Sequence, residues 1–187
     1  MKKTRLLIYL VLISIVLVNT TNLIIEREKI ISKKNKIEST LEREITYREK
    51  NDTYDGILVI PKISLKGGIY KITDKRNNIE ENIMIHYAST YPDQDESNII
   101  FIAHSGSGTK AFFKDLDKLD FDSLIDFYYK HIKYTYKIAN IYSIEKNGST
   151  LLDRDKHKKT ITLITCDSKD KTKQIVYIGY LIDEVRY

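Results

Sequence analysis

Two apolar runs joined by a lysine-rich turn near the C-terminus constrain the fold most. Residues 160–166 and 174–182 are rich in β-branched and apolar side chains, and the segment between them is polar. This pattern predicts two strands joined by a loop. Cys166, the single cysteine of the 187 residues, stands where the first strand ends. A strand end fixes the backbone while the side chain faces an open loop, so Cys166 is a candidate nucleophile as well as a candidate core residue.

A further apolar run, residues 98–104, ends at a histidine. An unbroken run of this kind is typical of a strand that is buried on both faces, and it places His104 at a strand end as well. A thiol attacks as its thiolate and needs a nearby base or cation. His104 could donate a proton to a leaving amine and accept one from an incoming nucleophile. The competing histidines are predicted to follow a helix, to lie in a turn or to lie in a lysine-rich loop: His86, His131 and His157.

Short apolar runs separated by turn residues predict further strands in a mostly β domain. The first run, residues 57–60, ends at Pro61, and Gly67 and Gly68 after it predict a turn or bulge. A hairpin is expected further along the chain, with arms at residues 126–130 and 132–138 and its turn at Lys130 and His131.

Two short helices are also expected. Residues 78–85 predict one, capped by Asn77 or Asn78. Residues 110–116 predict the other, capped by Thr109, with its aromatic side chains on one face.

The N-terminus combines three basic residues with an apolar run, residues 6–25. Taken to Ile25, across the polar residues 19–22, the segment is about twenty residues long and could cross a hydrocarbon core; taken only to Val18, it has the length of a signal peptide. Small residues spaced for signal cleavage are missing, which favours an uncleaved anchor over a removed signal peptide. The basic residues Lys2, Lys3 and Arg5 then lie in the cytoplasm, and the rest of the chain lies outside the cell.

Charge distinguishes the next segment, residues 26–53, which has a sparse apolar stripe at helical spacing and no Gly or Pro. It is typical of a solvated helical stalk. The expected organisation is therefore an anchor at 1–25, a stalk at 26–53 and an extracellular domain at 54–187.

Composition argues against two classes of function. One cysteine and four scattered histidines give no ligand spacing of the zinc type, so no metal site is assigned. The net charge of +5 is spread along the chain, which disfavours nucleic-acid binding.

Three sequence words together resemble one protein family. They are Thr-Leu-Ile-Thr-Cys at residues 162–166, Ile-Ala-His-Ser at 102–105 and Phe-Phe-Lys-Asp-Leu at 112–116. These words resemble the sortases, the cysteine transpeptidases of the Gram-positive cell surface. The resemblance covers roughly residues 56–182 and implies a closed sortase-type β-barrel with one or two short helices. It also implies that Cys166 and His104 are catalytic, with Thr165 and Ser105 as candidate supporting residues.

The chain departs from the family's pattern at the third catalytic position. Sortases carry an arginine at the start of the strand after the cysteine, and that position here is Gln174. An amide donates hydrogen bonds but carries no charge, so Lys173 or Lys171 would have to supply a charge-assisted contact to an oxyanion. Ala103, where glycine is usual, is a smaller departure that concerns packing.

The resemblance further implies a reaction and its partners. Cys166 would attack a carbonyl within a C-terminal sorting-signal peptide and pass the acyl group to an amine of a cell-wall precursor or a pilin, without a cofactor. The long polar connection at residues 145–159 corresponds to a wall of the peptide groove in sortases. Two alternatives stay open: a sortase-shaped scaffold that binds peptides without turnover, suggested by Gln174, and a thiol hydrolase that passes the acyl group to water.

Overall fold

One sheet of eight strands makes up most of the described chain from residue 56 onward. The structure, a computed structural model, describes residues 13, 14, 16–29, 31, 32, 39, 43, 54–147 and 152–187. The strands are β1 (Gly56–Ile60), β2 (Leu65–Ile69), β3 (Met84–Ile85), β4 (Asn98–Ile102), β5 (Leu124–Tyr129), β6 (Ile132–Glu145), β7 (Thr160–Cys166) and β8 (Lys173–Arg186). Short 3₁₀ helices occupy Pro61–Ile63 and Leu116–Lys118.

By its contacts the chain divides into two compact units, Met1–Glu44 and Ile45–Tyr187. In the first unit residues 16–29 are helical, and apolar side chains such as Leu17 and Ile24 are exposed. None of the helices within the described residues is both long and apolar enough to cross a membrane. The predicted anchor and the predicted stalk both lie partly outside the described residues.

The sheet curls until its two end strands approach each other. The strand order is β2-β1-β5-β6-β8-β7-β4-β3, and every neighbouring pair is antiparallel except β4 and β7, which are parallel. At the seam, a Cβ atom added to Gly67 of β2 would lie 2.6 Å from Cδ1 of Ile83, which directly precedes β3. The barrel is therefore nearly closed, whereas the sequence predicted a fully closed one.

Strands β4 and β7 are each buried on both faces, which the unbroken apolar run of residues 98–104 predicted for β4. Ile99 and Phe101 of β4 point into the barrel with Leu163 of β7, in the main core. The alternate residues Ile100 and Ile164 join a second cluster on the outer face with Val176 and Ile178 of β8. Cys166, Ile164 and residue 162 share this outer face because side chains alternate along a strand.

The predicted hairpin is confirmed. Strands β5 and β6 pair from Tyr129 and Ile132 onward, and the two residues between them, Lys130 and His131, have φ angles of 50° and 61°. Positive φ at both central residues defines the type I′ turn, whose twist matches that of the paired strands.

A register shift in β6 turns its second half outward. The pairing of β6 with β8 shifts between Ile138 and Asn140, so Ala139 is an extra residue. Ile138 packs in the barrel core, whereas Tyr142 and Ile144, an even number of residues further on, pack against the outer cluster. A one-residue bulge reverses which face a strand presents, since the side-chain period is two.

The two predicted helices are not present. Residues 78–82 form a single turn, in which the Asn82 N–H donates to the Asn78 carbonyl over 2.8 Å, and the chain then enters β3. Ile83 and Ile85 are both buried, so the burial follows the period of a strand and not that of a helix.

Residues 110–116 form successive turns that lead into the 3₁₀ helix at Leu116–Lys118. The Phe113 N–H donates to the carbonyl of His104 over 2.9 Å, so this segment is tied to the end of β4 and does not continue as an α-helix.

The prediction of a turn or bulge at Gly67 and Gly68 is also wrong, because both residues lie within β2 in regular register opposite Leu58 and Ile57. Side chains of Ile83 and Tyr54 fill the space that a Cβ atom would need at these positions. Close packing at the barrel seam, and not chain reversal, accounts for these glycines.

Candidate active site

Three neighbouring strands bring His104, Cys166 and Gln174 into one row. Cys166 is directly opposite Gln174 in the antiparallel ladder of β7 and β8. On its other side β7 pairs with β4 in the register Ile102 to Ile164, and two further residues along each chain place His104 beside Cys166. Residues directly opposite each other on paired strands point to the same face.

Hydrogen bonds hold this row together beyond the end of β4. The Ala103 N–H donates to the Ile164 carbonyl over 3.4 Å, and Thr165 Oγ1 donates to the Ala103 carbonyl over 2.8 Å. Thr165 is buried and points to the inner face. It therefore positions the cysteine and histidine segments against each other without entering the site.

A pocket of about 850 Å³ opens on the outer face at the His104 and Cys166 end of this row. Cys166, half-buried, and His104 both line it. The other lining residues come from the loop after His104, the end of β6 and the turn after Cys166: Ser105, Gly106, Ser107, Gly108, Thr109, Lys110, Ala111, Lys146, Asp167, Ser168 and Lys171.

The structure separates the sequence-derived candidates into two groups. Cys166, His104 and Ser105 line the pocket, whereas Gln174 and Lys173 do not. Gln174 lies between Cys166 and Ile144 in the sheet. The Lys173 ammonium lies 3.5 Å from the Asp170 carboxylate, so its charge is directed into the turn.

His104 is the histidine of this pocket. Its Nε2 lies 3.5 Å from Oε2 of Glu80, which is exposed in the turn before β3. The other histidines lie elsewhere: burial lowers the pKa of His86, His131 lies in the hairpin turn, and His157 pairs with Glu96 over 3.1 Å.

Lys146 is a pocket residue that the sequence did not single out. Its Nζ lies 3.6 Å from Sγ of Cys166. It directly follows β6, and its backbone N–H donates to the Thr172 carbonyl over 2.8 Å. Nothing local distinguishes this residue from the other lysines of the chain, because its position depends on the pairing of β6 with β8.

Residues 152–159 cover the outer cluster beside the pocket. The N–H groups of Asp153 and Asp155 donate to the hydroxyls of Tyr142 and Tyr180, each over 2.9 Å. The Lys158 ammonium lies 5.0 Å from the centre of the Tyr180 ring. This segment of the long polar connection is thus fixed to the outer face of β6 and β8, over the outer cluster.

Comparison with known proteins places these features in a family. The model of the sortase domain matches residues 58–182, a range that contains the site residues His104, Lys146, Cys166 and Gln174. The chain belongs to the sortase family. Among curated proteins none matches the chain significantly.

Solved sortase structures share the fold. Sortase C1 of Streptococcus agalactiae is 26% identical, with 68% of this chain and 67% of that chain covered and a TM-score of 0.60. A lid mutant of sortase A from Corynebacterium diphtheriae is 23% identical over 68% and 69%, with a TM-score of 0.60. Sortase A of Listeria monocytogenes is 19% identical over 72% and 90%, also with a TM-score of 0.60. Sortases are cysteine transpeptidases, and Cys166 stands in the sortase domain of this chain.

Thr165→Val should lower both stability and turnover. The substitution keeps the shape of the side chain but leaves the Ala103 carbonyl without its hydroxyl donor, which typically costs about 1–3 kcal/mol in the free energy of unfolding. It also loosens the link between the Cys166 and His104 segments, so we expect the turnover of the folded protein to fall by about tenfold or more. Chemical denaturation and a peptide-cleavage assay measure the two effects.

Thr162→Val is the matched control. Thr162 Oγ1 makes an equally buried hydrogen bond between the same two strands, to Oδ1 of Asn98 over 2.8 Å, but further from the pocket. It should cost similar stability and leave turnover near the native value. Equal turnover losses in the two variants, or none in Thr165→Val, would contradict a positioning role for Thr165.

Proposed function

We propose that this sortase-family protein is a membrane-anchored transpeptidase. It cleaves a C-terminal sorting signal through a thioester on Cys166 and transfers the acyl group to an amine of a cell-wall precursor or a pilin. One observation carries the proposal: the single thiol and the His104 imidazole lie at the ends of adjacent strands and line one pocket on the outer face.

In the first half-reaction the thiolate of Cys166 attacks the carbonyl carbon of the scissile peptide bond. The C–N bond then breaks, and the His104 imidazolium gives its proton to the departing amine nitrogen. The acyl group remains on Sγ as a thioester, and His104 is left neutral.

In the second half-reaction an acceptor amine attacks the thioester carbon. His104 takes the proton that the amine loses, the C–S bond breaks, and Cys166 returns to the thiolate. The new amide joins the surface protein to its acceptor, and no oxidant, reductant or cofactor enters the balance.

We assign the sorting peptide to the pocket that Cys166 and His104 line. A concave pocket with a few polar groups is typical of a peptide or ligand site. Ile100, Ile164 and Val176 are buried in the outer cluster, against which Leu152 packs, so they support the strands that carry the pocket and do not meet the peptide.

Intact-mass measurement with a panel of sorting peptides tests the function. We expect a mass increase equal to the acyl fragment on Cys166, which disappears when a peptide amine is added and an amide product forms. Peptide binding without any mass increase would support the scaffold and reject the enzyme. A thioester that decays only to the free acid, even with an amine present, would support the thiol hydrolase.

The anchor can be tested with the same cysteine. If residues 6–25 hold the protein in the membrane with its domain outside, an impermeant maleimide should label Cys166 in intact cells, and deletion of residues 1–25 should move the protein out of the membrane fraction. Because the chain has a single cysteine, the label reports one position. Labelling only after lysis, or mature protein in the medium beginning near Asn22, would contradict this topology.

A further inference from the structure

We propose that Lys146 is a catalytic residue that supplies the positive charge which sortases take from an arginine after the cysteine. This inference rests on the proposed transpeptidase function. It assigns to the end of β6 a role that the sequence suggested for Gln174 or for the lysines of the β7–β8 turn.

The bulge in β6 determines where the Lys146 side chain points. Ile144 lies opposite Gln174 and packs against the outer cluster, and Lys146 is two residues further along the chain. Without the extra residue at Ala139, the second half of β6 would present these positions to the barrel interior. With it, the Lys146 ammonium crosses over the start of β8 to within 3.6 Å of Cys166 Sγ.

The backbone of Lys146 is fixed where its side chain needs support. Its N–H donates to the Thr172 carbonyl, and the preceding Glu145 pairs with Lys173 at the first position of β8. The lysine is therefore attached to the base of the turn that follows Cys166. A reactive cation held by a strand end is better oriented than one carried by the turn itself.

The other cations of the site are placed differently. Side chains alternate along a strand, so Lys173 and Gln174 point to different faces of the sheet. The Lys173 ammonium lies near the Asp170 carboxylate. Lys171 lines the pocket from the turn. Among the described residues Lys146 makes no ion pair, and the pocket carboxylate of Asp167 accepts a hydrogen bond from the Lys169 N–H over 2.8 Å.

An ammonium in this position acts twice in the reaction. Before attack it stabilises the thiolate of Cys166. After attack the oxyanion is carried by the carbon bonded to Sγ, so a donor that already contacts Sγ can reach it with a charge-assisted hydrogen bond. Lysine acts here as a point charge and lacks the two-pronged geometry of arginine.

Two assays on the full chain test the proposal. Alkylation of Cys166 by iodoacetamide at neutral pH reports the reactivity of the thiol without any peptide. Thioester formation with a sorting peptide, followed by intact mass, reports the chemical step. The variants are Lys146→Met, which removes the charge at similar length, Lys146→Arg, and the matched control Lys171→Met, which removes a second exposed lysine of the same pocket.

Lys146→Met should slow alkylation several-fold and acylation by roughly a hundredfold, with the KM for peptide little changed. Lys146→Arg should restore most of both rates. Lys171→Met should lose far less of either rate than Lys146→Met, and Gln174→Ala should stay within about threefold of the native rates. Thermal unfolding confirms that each variant is folded.

Native alkylation and acylation rates in Lys146→Met would overturn the inference, and so would a larger loss in Lys171→Met or Gln174→Ala. The proposed function fails separately. If no peptide acylates the native protein while Lys146→Met still slows alkylation, the transpeptidase proposal is rejected and the pairing of Lys146 with the thiol stands.

Discussion

Cys166→Ala is expected to abolish thioester formation while leaving the domain folded. Without Sγ no covalent intermediate can form, so the acylation rate should fall to background for every sorting peptide. The side chain is half-buried at a strand end, and replacing it with alanine removes one atom that packs little against the core. Intact mass measures the first effect, and circular dichroism with thermal unfolding measures the second.

Cys166→Ser separates chemistry from packing. Serine keeps nearly the same shape and replaces the thiol with a hydroxyl, which is a far weaker nucleophile at neutral pH. Both variants should therefore bind sorting peptides and accumulate no acyl-enzyme. If Cys166→Ala unfolded the domain, with activity following the remaining folded fraction, the thiol would be a structural residue.

His104→Ala should reduce turnover by roughly a hundredfold or more, because general acid–base catalysis contributes about 10²–10⁴-fold. The imidazole is 39% exposed and its ion-pair partner, Glu80, is itself at the surface, so its removal should cost little stability. The leaving amine would then depart without a proton donor. Steady-state cleavage and single-turnover acylation, followed with the same peptide, measure the loss.

His157→Ala is the matched control for this variant. His157 also pairs with an exposed glutamate, Glu96, but lies outside the pocket. It should cleave and transfer peptides at close to the native rate. Turnover of His104→Ala within about threefold of that control would remove His104 from the proton-transfer step.

The two catalytic candidates depend on one parallel pair of strands. A parallel pair requires a long crossover, and here residues 103–159 pass through β5 and β6 before the chain returns as β7 beside β4. The inner core fixes β4 and β7 through Phe101 and Leu163, which lie directly opposite each other in the ladder. The packing of the barrel therefore sets the alignment of His104 with Cys166.

The local sequence pattern was sufficient to predict those strands and turns in which local preference and tertiary packing favour the same structure. The runs at residues 98–104 and 160–166 are rich in apolar and β-branched side chains because both faces of β4 and β7 are buried, and the structure confirms strands there. The hairpin at Lys130 and His131 is confirmed as well, because the local turn and the pairing of β5 with β6 agree there. The sequence words around Cys166 and His104 also carried the family, which the domain match confirms.

The structures predicted for short segments were wrong where a tertiary contact replaced a local one. The helix predicted at 110–116 is absent since Phe113 bonds to His104, and the helix predicted at 78–85 is absent since Ile83 and Ile85 are drawn into the barrel seam. Gly67 and Gly68 predicted a turn, but close packing from Ile83 and Tyr54 accounts for them. In each case the deciding contact lies outside the segment whose local pattern made the prediction.

The sequence by itself determined that a cysteine and a histidine stand at the ends of two buried strands within a sortase domain. Only the tertiary structure decided which cation faces them. The extra residue at Ala139 shifts β6 by one position against β8 and sends Ile144 and Lys146 to the outer face, where Cys166 lies. A strand alternates with a period of two, so a single bulge reverses every later side chain, and no local pattern reveals which residue of a long pairing is the extra one.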